Sequence, residues 1–124
     1  MITAYYRPES IAQALQLLKN PANVPIGGGS TLAAIQRDVA VVDLQNLGLS
    51  KITEVGDRCV LGAAVTLESM LKYFSHSTSM EYAIKIEASR NQREQATIAG
   101  LVCSSDGRSP LLSLLLALDT SIKW

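Results

Sequence analysis

Three consecutive glycines, at positions 27 to 29, constrain the fold more than any other feature of the sequence. They follow the short apolar run Val24-Pro25-Ile26 directly and lead into Ser30 and Thr31. Glycine lets the backbone approach a ligand closely, but each glycine also loosens a packed fold. The segment is therefore either a tight turn from a strand into a helix or a loop whose N–H groups bind a phosphate. The residues by themselves do not favour one interpretation over the other.

Neither of the two best-known phosphate loops matches this first glycine segment, residues 27–31. A Walker A loop needs Gly-Lys-Ser/Thr, and the segment contains no lysine. A Rossmann loop needs a small residue where Leu32 stands and an acidic residue about 20 positions later, whereas Asp43 comes too early. If these glycines bind phosphate, they form a loop of another kind.

A second segment of similar character is Thr97-Ile98-Ala99-Gly100, which contains small residues and a hydroxyl side chain. We predict that a strand leads into it. Two such loops could hold the two phosphates of one pyrophosphate from opposite sides. We therefore predict that the first glycine segment and this second segment, residues 97–100, face each other across one cleft. Arg93 and Arg108 flank the second segment and could pair with phosphate, whereas Arg90 is predicted to be a solvated loop residue.

Hydrophobic patterning in the first part of the chain predicts strands and helices in alternation. Ser10 and Gln13 form a capping-box pattern ahead of a helix that ends at Asn20-Pro21. The strands are predicted at Ala4–Tyr6, Val24–Ile26 and Ala40–Leu44, with a helical turn at Leu32–Gln36. The last of these strands is almost entirely apolar, as expected of a strand covered on both faces.

The rest of the chain follows a different pattern, in which Gly56-Asp57 predicts a hairpin between Lys51–Val55 and Arg58–Gly62. Helices are predicted over Thr66–Tyr73, Met80–Ala88 and Leu111–Leu118, a polar stretch over 89–95, and a final strand over Thr120–Trp124. The result is an α+β fold with two small lobes in one domain, about 1–50 and about 51–124. An unpaired edge on the last strand predicts a homo-oligomer.

Composition excludes several classes of function. The 124 residues have a formal net charge of zero and 5% aromatic residues, which argues against a nucleic-acid partner. No apolar run approaches the ~20 residues of a membrane span, and no signal peptide is evident, so we expect a cytoplasmic protein. Two distant cysteines argue against a disulfide framework or a zinc site, and no metal-ligand or catalytic cluster is evident.

Four smaller candidates have simple structural interpretations. Cys59 and Cys103 are predicted to be buried thiols, although Cys103 could also lie near a ligand. His76, the only histidine, is predicted to be a solvated loop residue. The polar loop 104–107 could bind a ribose, but capping of the following helix is the favoured interpretation.

Six motifs are spread along nearly the whole chain, and together they carry a family resemblance. They are Tyr5-Tyr6-Arg7-Pro8, residues 25–32, Val41-Val42-Asp43-Leu44, residues 61–66, residues 93–100 and Ser109-Pro110-Leu111-Leu112. By their order and spacing the chain resembles the N-terminal part of the FAD-binding subunit or domain of molybdenum hydroxylases, the family of xanthine dehydrogenase and the medium subunit of carbon monoxide dehydrogenase. The resemblance implies a PCMH-type FAD-binding fold, truncated at the C-terminus relative to the family.

The resemblance also implies a cofactor and the residues that bind it. In the family the two corresponding segments bind the FAD pyrophosphate. The resemblance therefore implies that the residues that bind it in this chain are Gly27, Gly28, Gly29, Ser30, Thr31, Thr97, Ile98 and Gly100. The family usually has glycine where Ala99 stands, asparagine at Leu101 and Glu94, and an aspartate near Ser109-Pro110. Losing the asparagine amide at Leu101 removes a polar contact.

The role implied by the resemblance is electron transfer through FAD. In the family, electrons pass from molybdopterin through iron–sulfur clusters to FAD, and the first two centres belong to partner subunits or domains. The flavin supplies the redox chemistry, so no catalytic side chain is expected, and this chain alone is not expected to be an active oxidoreductase. The alternatives are an assembly module or remnant of the same fold that binds no flavin, and one piece of a split subunit.

Overall fold

The computed structural model describes residues 1–29 and 32–123 as an α+β fold. The strands are β1 (Ile2–Tyr6), β2 (Asn23–Ile26), β3 (Val39–Asp43), β4 (Ile52–Val55) and β5 (Arg58–Leu61). The helices are α1 (Ile11–Leu18), α2 (Leu67–Tyr73), α3 (Thr78–Glu87), α4 (Arg90–Gln95), α5 (Ile98–Ser104) and α6 (Pro110–Ala117). Short 3₁₀ turns lie at Leu32–Ala34 and Gln45–Leu47. Within the described ranges, no helix is long and apolar enough to cross a membrane.

The first three strands form one parallel sheet in the order β1-β3-β2. The central strand β3 is buried at all five positions, which confirms the expectation from its apolar run. Because the strands are parallel, their carboxyl ends lie at one edge, where Tyr6 pairs with Val42 and Ile26 pairs with Asp43. The first glycine segment leaves the sheet at this edge.

The cap of α1 follows the prediction with one change. The Gln13 N–H donates to Ser10 Oγ at 3.2 Å, as in a capping box. The Gln13 side chain, however, accepts from the N–H of Glu9 at 3.0 Å, one residue before the expected partner. Both bonds satisfy donors at a helix start that would otherwise lack an acceptor.

The hairpin and the later helices have a core of their own. Strands β4 and β5 pair antiparallel, and the core beneath them contains nine buried residues. These are Val65, Leu67, Met70, Met80, Ala83, Ile84, Ile98, Leu111 and Leu115. At one end of this core Glu87 holds the start of α6, since its Oε2 accepts from Ser109 Oγ at 2.7 Å and from the Leu111 N–H at 3.1 Å. Capping of α6 is therefore done by Ser109 and Glu87, not by loop 104–107.

Three sequence predictions are wrong in this half. The polar stretch contains helix α4, which lacks an apolar stripe but starts with a Ser89–Gln92 capping box and packs on α2. The second segment opens helix α5 instead of following a strand, with Thr97 as its N-cap. Residues 120–123 are not a strand, and Trp124 lies outside the described residues.

The predicted burial of both cysteines is also wrong. Cys59 and Cys103 are exposed. Cys59 lies on β5 of a two-stranded hairpin, and the described core covers only a small part of that hairpin. Cys103 lies on the face of α5 that borders a cavity. His76 is exposed in the turn between α2 and α3, as predicted.

Candidate ligand-binding cleft

A cavity of about 440 Å³ lies where the end of β2 meets the start of α5. Its size falls within the range of about 300–1,000 Å³ typical of ligand sites. Both segments singled out in the sequence border it, which confirms that they face one cleft. The lining residues are Val24, Pro25, Ile26, Gly27, Gly28, Gly29, Leu32, Ile35, Leu44, Leu49, Ala63, Ala64, Thr97, Ala99, Gly100, Cys103 and Ser104.

The three described glycines of the first segment bring it close to the second segment and to α4. A Cβ atom added at Gly27 would lie 3.2 Å from Thr97 Cγ2 and 3.3 Å from Thr97 Oγ1. At Gly28 it would lie 1.5 Å from the carbonyl oxygen of Gln95, a clash with backbone. Gly29 has a φ of +79°, which side chains disfavour. Ser30 and Thr31 lie outside the described residues.

The two segments differ in the hydrogen-bond donors they offer. The N–H groups of Gly27, Gly28 and Gly29 donate to no acceptor among the described residues, and all three residues are half-buried at the cleft. Main-chain N–H groups in this situation can bind an anion or a polar ligand atom. The first segment therefore carries the donors that the phosphate-loop interpretation requires.

The N–H groups of the second segment are already engaged. Ile98 donates to the carbonyl of Val65 at 2.9 Å and Ala99 to that of Ala63 at 3.2 Å. Gly100 donates to Thr97 Oγ1 at 3.1 Å. These bonds fasten the start of α5 to the turn ahead of α2, so this segment forms a fixed wall of the cleft.

Thr97 is the polar side chain of this wall that remains available. It is 7% exposed, and its Oγ1 accepts from the Gly100 N–H. The hydroxyl hydrogen donates to no acceptor among the described residues. A hydroxyl can accept and donate at once, so Thr97 can cap α5 and still donate to a ligand. Ile98, by contrast, is in the core and does not line the cleft.

The flanking arginines are engaged with carboxylates or carbonyls. Arg93 Nε donates to Glu68 Oε2 at 3.0 Å, and its NH1 donates to the carbonyl of Ala88 at 3.0 Å. Arg108 binds Asp106, and this hydrogen bond lowers the pKa of the Asp106 carboxyl. Arg90 Nε lies 4.0 Å from Glu94 Oε1, on helix α4 and not on a loop. No charged residue occurs among the described residues that line the cleft.

A buried carboxylate fixes the sheet edge beside the cleft. Asp43 is 3% exposed, and it accepts from the hydroxyl of Tyr5 and, at 2.9 Å, from the Gln45 N–H. Arg7 Nε lies 3.7 Å from Asp43 Oδ2. The bond to Asp43 raises the pKa of Tyr5. The next residue, Leu44, lines the cleft and donates its N–H to the carbonyl of Ile26 at 3.0 Å.

Sequence reasoning missed most of the cleft's apolar wall. Ala63 and Ala64 belong to a motif of the family resemblance that implies no role for them, and Ile35 and Leu49 carry no local signal. The local sequence signal for this wall is Gly62, the residue before Ala63. Glycine is needed there because an added Cβ would lie 2.0 Å from the carbonyl oxygen of Leu49. Ser104 lines the cleft and donates its hydroxyl to the carbonyl of Gly100 at 2.7 Å.

The sequence model of the family described as "FAD binding domain in molybdopterin dehydrogenase" matches residues 1–124. The chain belongs to this family. The uncharacterized protein YgfM of Escherichia coli (strain K12) is 30% identical over 128 residues, which covers 98% of this chain and 49% of YgfM. The chain therefore spans about half the length of this curated relative.

Solved structures with the same fold confirm the α+β assignment. The Cu,Mo-CO dehydrogenase in its cyanide-inactivated form matches with a TM-score of 0.80 and 27% identity, over 93% of this chain and 44% of that one. Reconstituted CO dehydrogenase from Oligotropha carboxidovorans matches with a TM-score of 0.77 and 27% identity, over 90% and 43%. Quinoline 2-oxidoreductase from Pseudomonas putida 86, at 22% identity and a TM-score of 0.74 over 90% and 43%, shares the fold.

The cleft fits part of a flavin dinucleotide. The N–H groups of Gly27–Gly29 and the Thr97 hydroxyl are donors suited to phosphate oxygens, and a side chain at Gly27 would fill the space between them. The apolar wall suits an uncharged portion of the same ligand. Within the described residues, these groups are the ones that would hold the cofactor.

Proposed function

We propose that this chain is an FAD-binding portion of a molybdenum-hydroxylase-type oxidoreductase, in which Gly27–Gly29 and Thr97 hold the FAD pyrophosphate. Membership of the family supports the cofactor class. The observation that carries the proposal is the set of N–H groups in the first segment that lack an acceptor among the described residues and lie opposite the Thr97 hydroxyl. Ser30 and Thr31 extend the same segment and would add hydroxyl donors.

The remaining members of the sequence-based site have supporting roles in this proposal. Ile98 anchors the start of α5 in the core, and Gly100 completes the cap with Thr97. The bound flavin would supply the redox chemistry, while the chain's own residues bind and orient it. The two lobes, about 1–50 and 51–124, would each contribute one wall of the cleft.

The proposal extends to partners and location. Molybdopterin and iron–sulfur clusters would belong to partner subunits, because the two cysteines of this chain are too few to hold such clusters. We place the protein in the cytoplasm and expect a homo-oligomer. The strand edge that first suggested an oligomer is not present over residues 120–123. Light scattering of the purified chain tests the expectation of a homo-oligomer.

Calorimetric titration with FAD tests the cofactor assignment. Gly29→Ala and Gly107→Ala form a matched pair, because both glycines have positive φ, +79° and +87°, and only Gly29 lines the cleft. Both substitutions strain the backbone at a cost of the order of 1 kcal/mol each. The Cβ at position 29 would also lie 3.2 Å from Ile26 Cδ1, whereas the Cβ at position 107 meets nothing within 4 Å. We expect Gly29→Ala to weaken FAD binding and Gly107→Ala to leave it unchanged. Equal effects of the two substitutions would refute the assignment.

A second candidate function is an assembly module of the same fold that binds no flavin. It is favoured by the second segment, whose Ile98, Ala99 and Gly100 N–H groups are already engaged within the protein. The family's asparagine is replaced by Leu101, which offers no amide. The absence of any FAD binding heat from the folded wild-type chain would favour this candidate. A neighbouring reading frame that encodes the rest of the family domain would instead favour a split subunit.

A further inference from the structure

Asp43 is a buried charged residue that the proposed cofactor site does not use. It stands at the carboxyl end of β3, is 3% exposed and is not among the described residues that line the cleft. We propose that Asp43 is a positioning residue that sets the separation of the two cleft walls, because it ties the end of β1 to the stretch of chain that crosses from the sheet to β4. In its effect on FAD binding this inference rests on the proposed function.

On one side, Asp43 joins the ends of two neighbouring strands. Its Oδ2 accepts from the hydroxyl of Tyr5, and Arg7 Nε lies 3.7 Å from the same oxygen. Tyr5 is in β1, and Arg7 follows the last residue of that strand. The last main-chain pair between β1 and β3 is Tyr6 with Val42, directly before Asp43. The carboxylate therefore continues the link between the two strands beyond their last main-chain pair.

On its other side, Asp43 directs the chain as it leaves the sheet. Its Oδ1 accepts from the Gln45 N–H at 2.9 Å, a side-chain turn that leads into the 3₁₀ turn Gln45–Leu47. Between these two residues, Leu44 lines the cleft and donates its N–H at 3.0 Å to the carbonyl of Ile26, the residue before the first glycine segment. The path of the chain out of β3 is therefore fixed by hydrogen bonds on both sides of Leu44.

The same stretch of chain then reaches the opposite wall of the cleft. Leu49 lines the cleft, and its carbonyl accepts from the Ala64 N–H at 2.9 Å. The neighbouring Ala63 accepts at its carbonyl from the Ala99 N–H at 3.2 Å, at the start of α5. Main-chain bonds thus connect residues 44–49 to the second segment. The direction that Asp43 gives to this stretch sets how far the second segment stands from the first.

The chemistry of the carboxylate allows its hydrogen bonds to be removed or kept by choice of substitution. A buried polar group is costly unless it is hydrogen-bonded, and both oxygens of Asp43 accept a hydrogen bond here. Asp43→Ala removes the acceptor of both the Tyr5 hydroxyl and the Gln45 N–H. Asp43→Asn keeps both connections, because an amide can accept from the Gln45 N–H through its oxygen and donate to the Tyr5 oxygen through its nitrogen.

The first test is calorimetric titration of the full chain with FAD, with far-UV circular dichroism as the check on folding. We expect Asp43→Ala and Tyr5→Phe each to raise the FAD dissociation constant by about tenfold, since small displacements of a binding wall are costly. Asp43→Asn should stay within about threefold of the wild type. Tyr73→Phe is the matched control and should bind FAD like the wild type. Its hydroxyl also donates to a carboxylate, that of Glu54, but it lies on α2 and not among the described residues of the cleft.

A second measurement needs no flavin. Cys103 lines the cleft and its thiol is exposed, so its reaction rate with DTNB reports on access to the gap between the walls. In a Cys59→Ser background, Asp43→Ala should raise this rate at least about twofold, because a wider gap admits the reagent more readily. Asp43→Asn in the same background should leave the rate unchanged.

The outcomes separate this inference from the proposed function. Wild-type FAD affinity in a folded Asp43→Ala variant, or equal losses in Tyr5→Phe and Tyr73→Phe, would overturn the inference and leave FAD binding intact. No binding of FAD by the wild-type chain would refute the proposed function. The Cys103 rates would then still decide the structural role, and an unchanged rate in Asp43→Ala would show that Asp43 does not set the separation of the walls.

Discussion

Thr97 lies directly against Gly27, so that a single methyl group added at the glycine would come within 3.2 Å of Thr97 Cγ2. The two residues belong to different segments, and helices α2, α3 and α4 begin and end between them in the chain. Their contact is what makes one cleft out of two loops. Because the φ of Gly27 is not in the left-handed region, a side chain can be added there to narrow the cleft without straining the backbone.

The first prediction concerns this contact. Gly27→Val would place two methyl groups against Thr97, and we expect FAD binding to weaken by about 1–3 kcal/mol, the usual cost of overpacking. Gly27→Ala should have a smaller effect, because one methyl needs only a small shift of the Thr97 side chain. Calorimetry measures the loss, and far-UV circular dichroism checks that the fold is retained. Wild-type affinity in a folded Gly27→Val variant would contradict the role of this contact.

The second prediction concerns the close approach of Gly28 to helix α4. Gly28→Ala forces a Cβ to within 1.5 Å of the Gln95 carbonyl oxygen, so the backbone itself must move. We expect the free energy of unfolding to fall by about 3 kcal/mol and the melting temperature by about 10 °C or more. Gly56→Ala is the control, because its φ is +62° but an added Cβ meets nothing within 4 Å. If the two variants melted alike, the close approach of Gly28 to α4 would be disproved.

The third prediction uses the exposed cysteines as a pair of reporters. Cys103 lines the cleft and Cys59 does not, and both thiols are exposed. In a Cys59→Ser background, bound FAD should slow the reaction of Cys103 with a thiol reagent such as DTNB. In a Cys103→Ser background, FAD should not change the rate for Cys59. Protection of Cys59 instead of Cys103 would place the ligand elsewhere.

The fourth prediction concerns the hairpin. The Tyr73 hydroxyl donates to Glu54 Oε1 at 2.5 Å, and this bond raises the pKa of Tyr73 to about 12. The raised pKa means that the stabilisation from this bond is complete below the ordinary tyrosine pKa of about 10 and is lost as pH rises towards 12. Ultraviolet titration should show Tyr73 ionising late, together with Tyr5, whose pKa is also raised. Glu54→Gln should return the pKa of Tyr73 alone towards 10. An unchanged titration curve in Glu54→Gln would show that this bond is not the cause.

Sequence patterns predicted the elements whose signals are local. The buried strand β3, the Ser10 cap and the Gly56-Asp57 hairpin follow from apolar runs, capping residues and turn residues. Helix α4 could not be predicted in this way, because it is a polar helix that depends on its capping box and on the ion pair from Arg93 to α2. Its carbonyl at Gln95 then fixes Gly28, a contact that no local pattern encodes.

The candidate site was predictable only in part for a similar reason. Glycines and hydroxyl residues identify the two segments, and the structure brings Gly27–Gly29 and Thr97 together at one cleft. Which N–H groups remain available depends on long-range partners, since Val65 and Ala63 engage the N–H groups of Ile98 and Ala99. The apolar residues that line the cleft come from elements that are far apart in the sequence, so no single sequence pattern includes them.

The last prediction is that the purified chain with FAD will not transfer electrons from NADH to a dye faster than free FAD does. Catalysis at a flavin requires the ring to be held in a fixed orientation relative to its donor, and orientation can account for several kcal/mol of a barrier. The described lining of the cleft carries no charged side chain that could assist such a step. Assays at equal flavin concentration, with Gly29→Ala as the binding-deficient control, measure the difference. A wild-type rate clearly above that of free FAD, abolished in Gly29→Ala, would show a working oxidoreductase site and contradict this prediction.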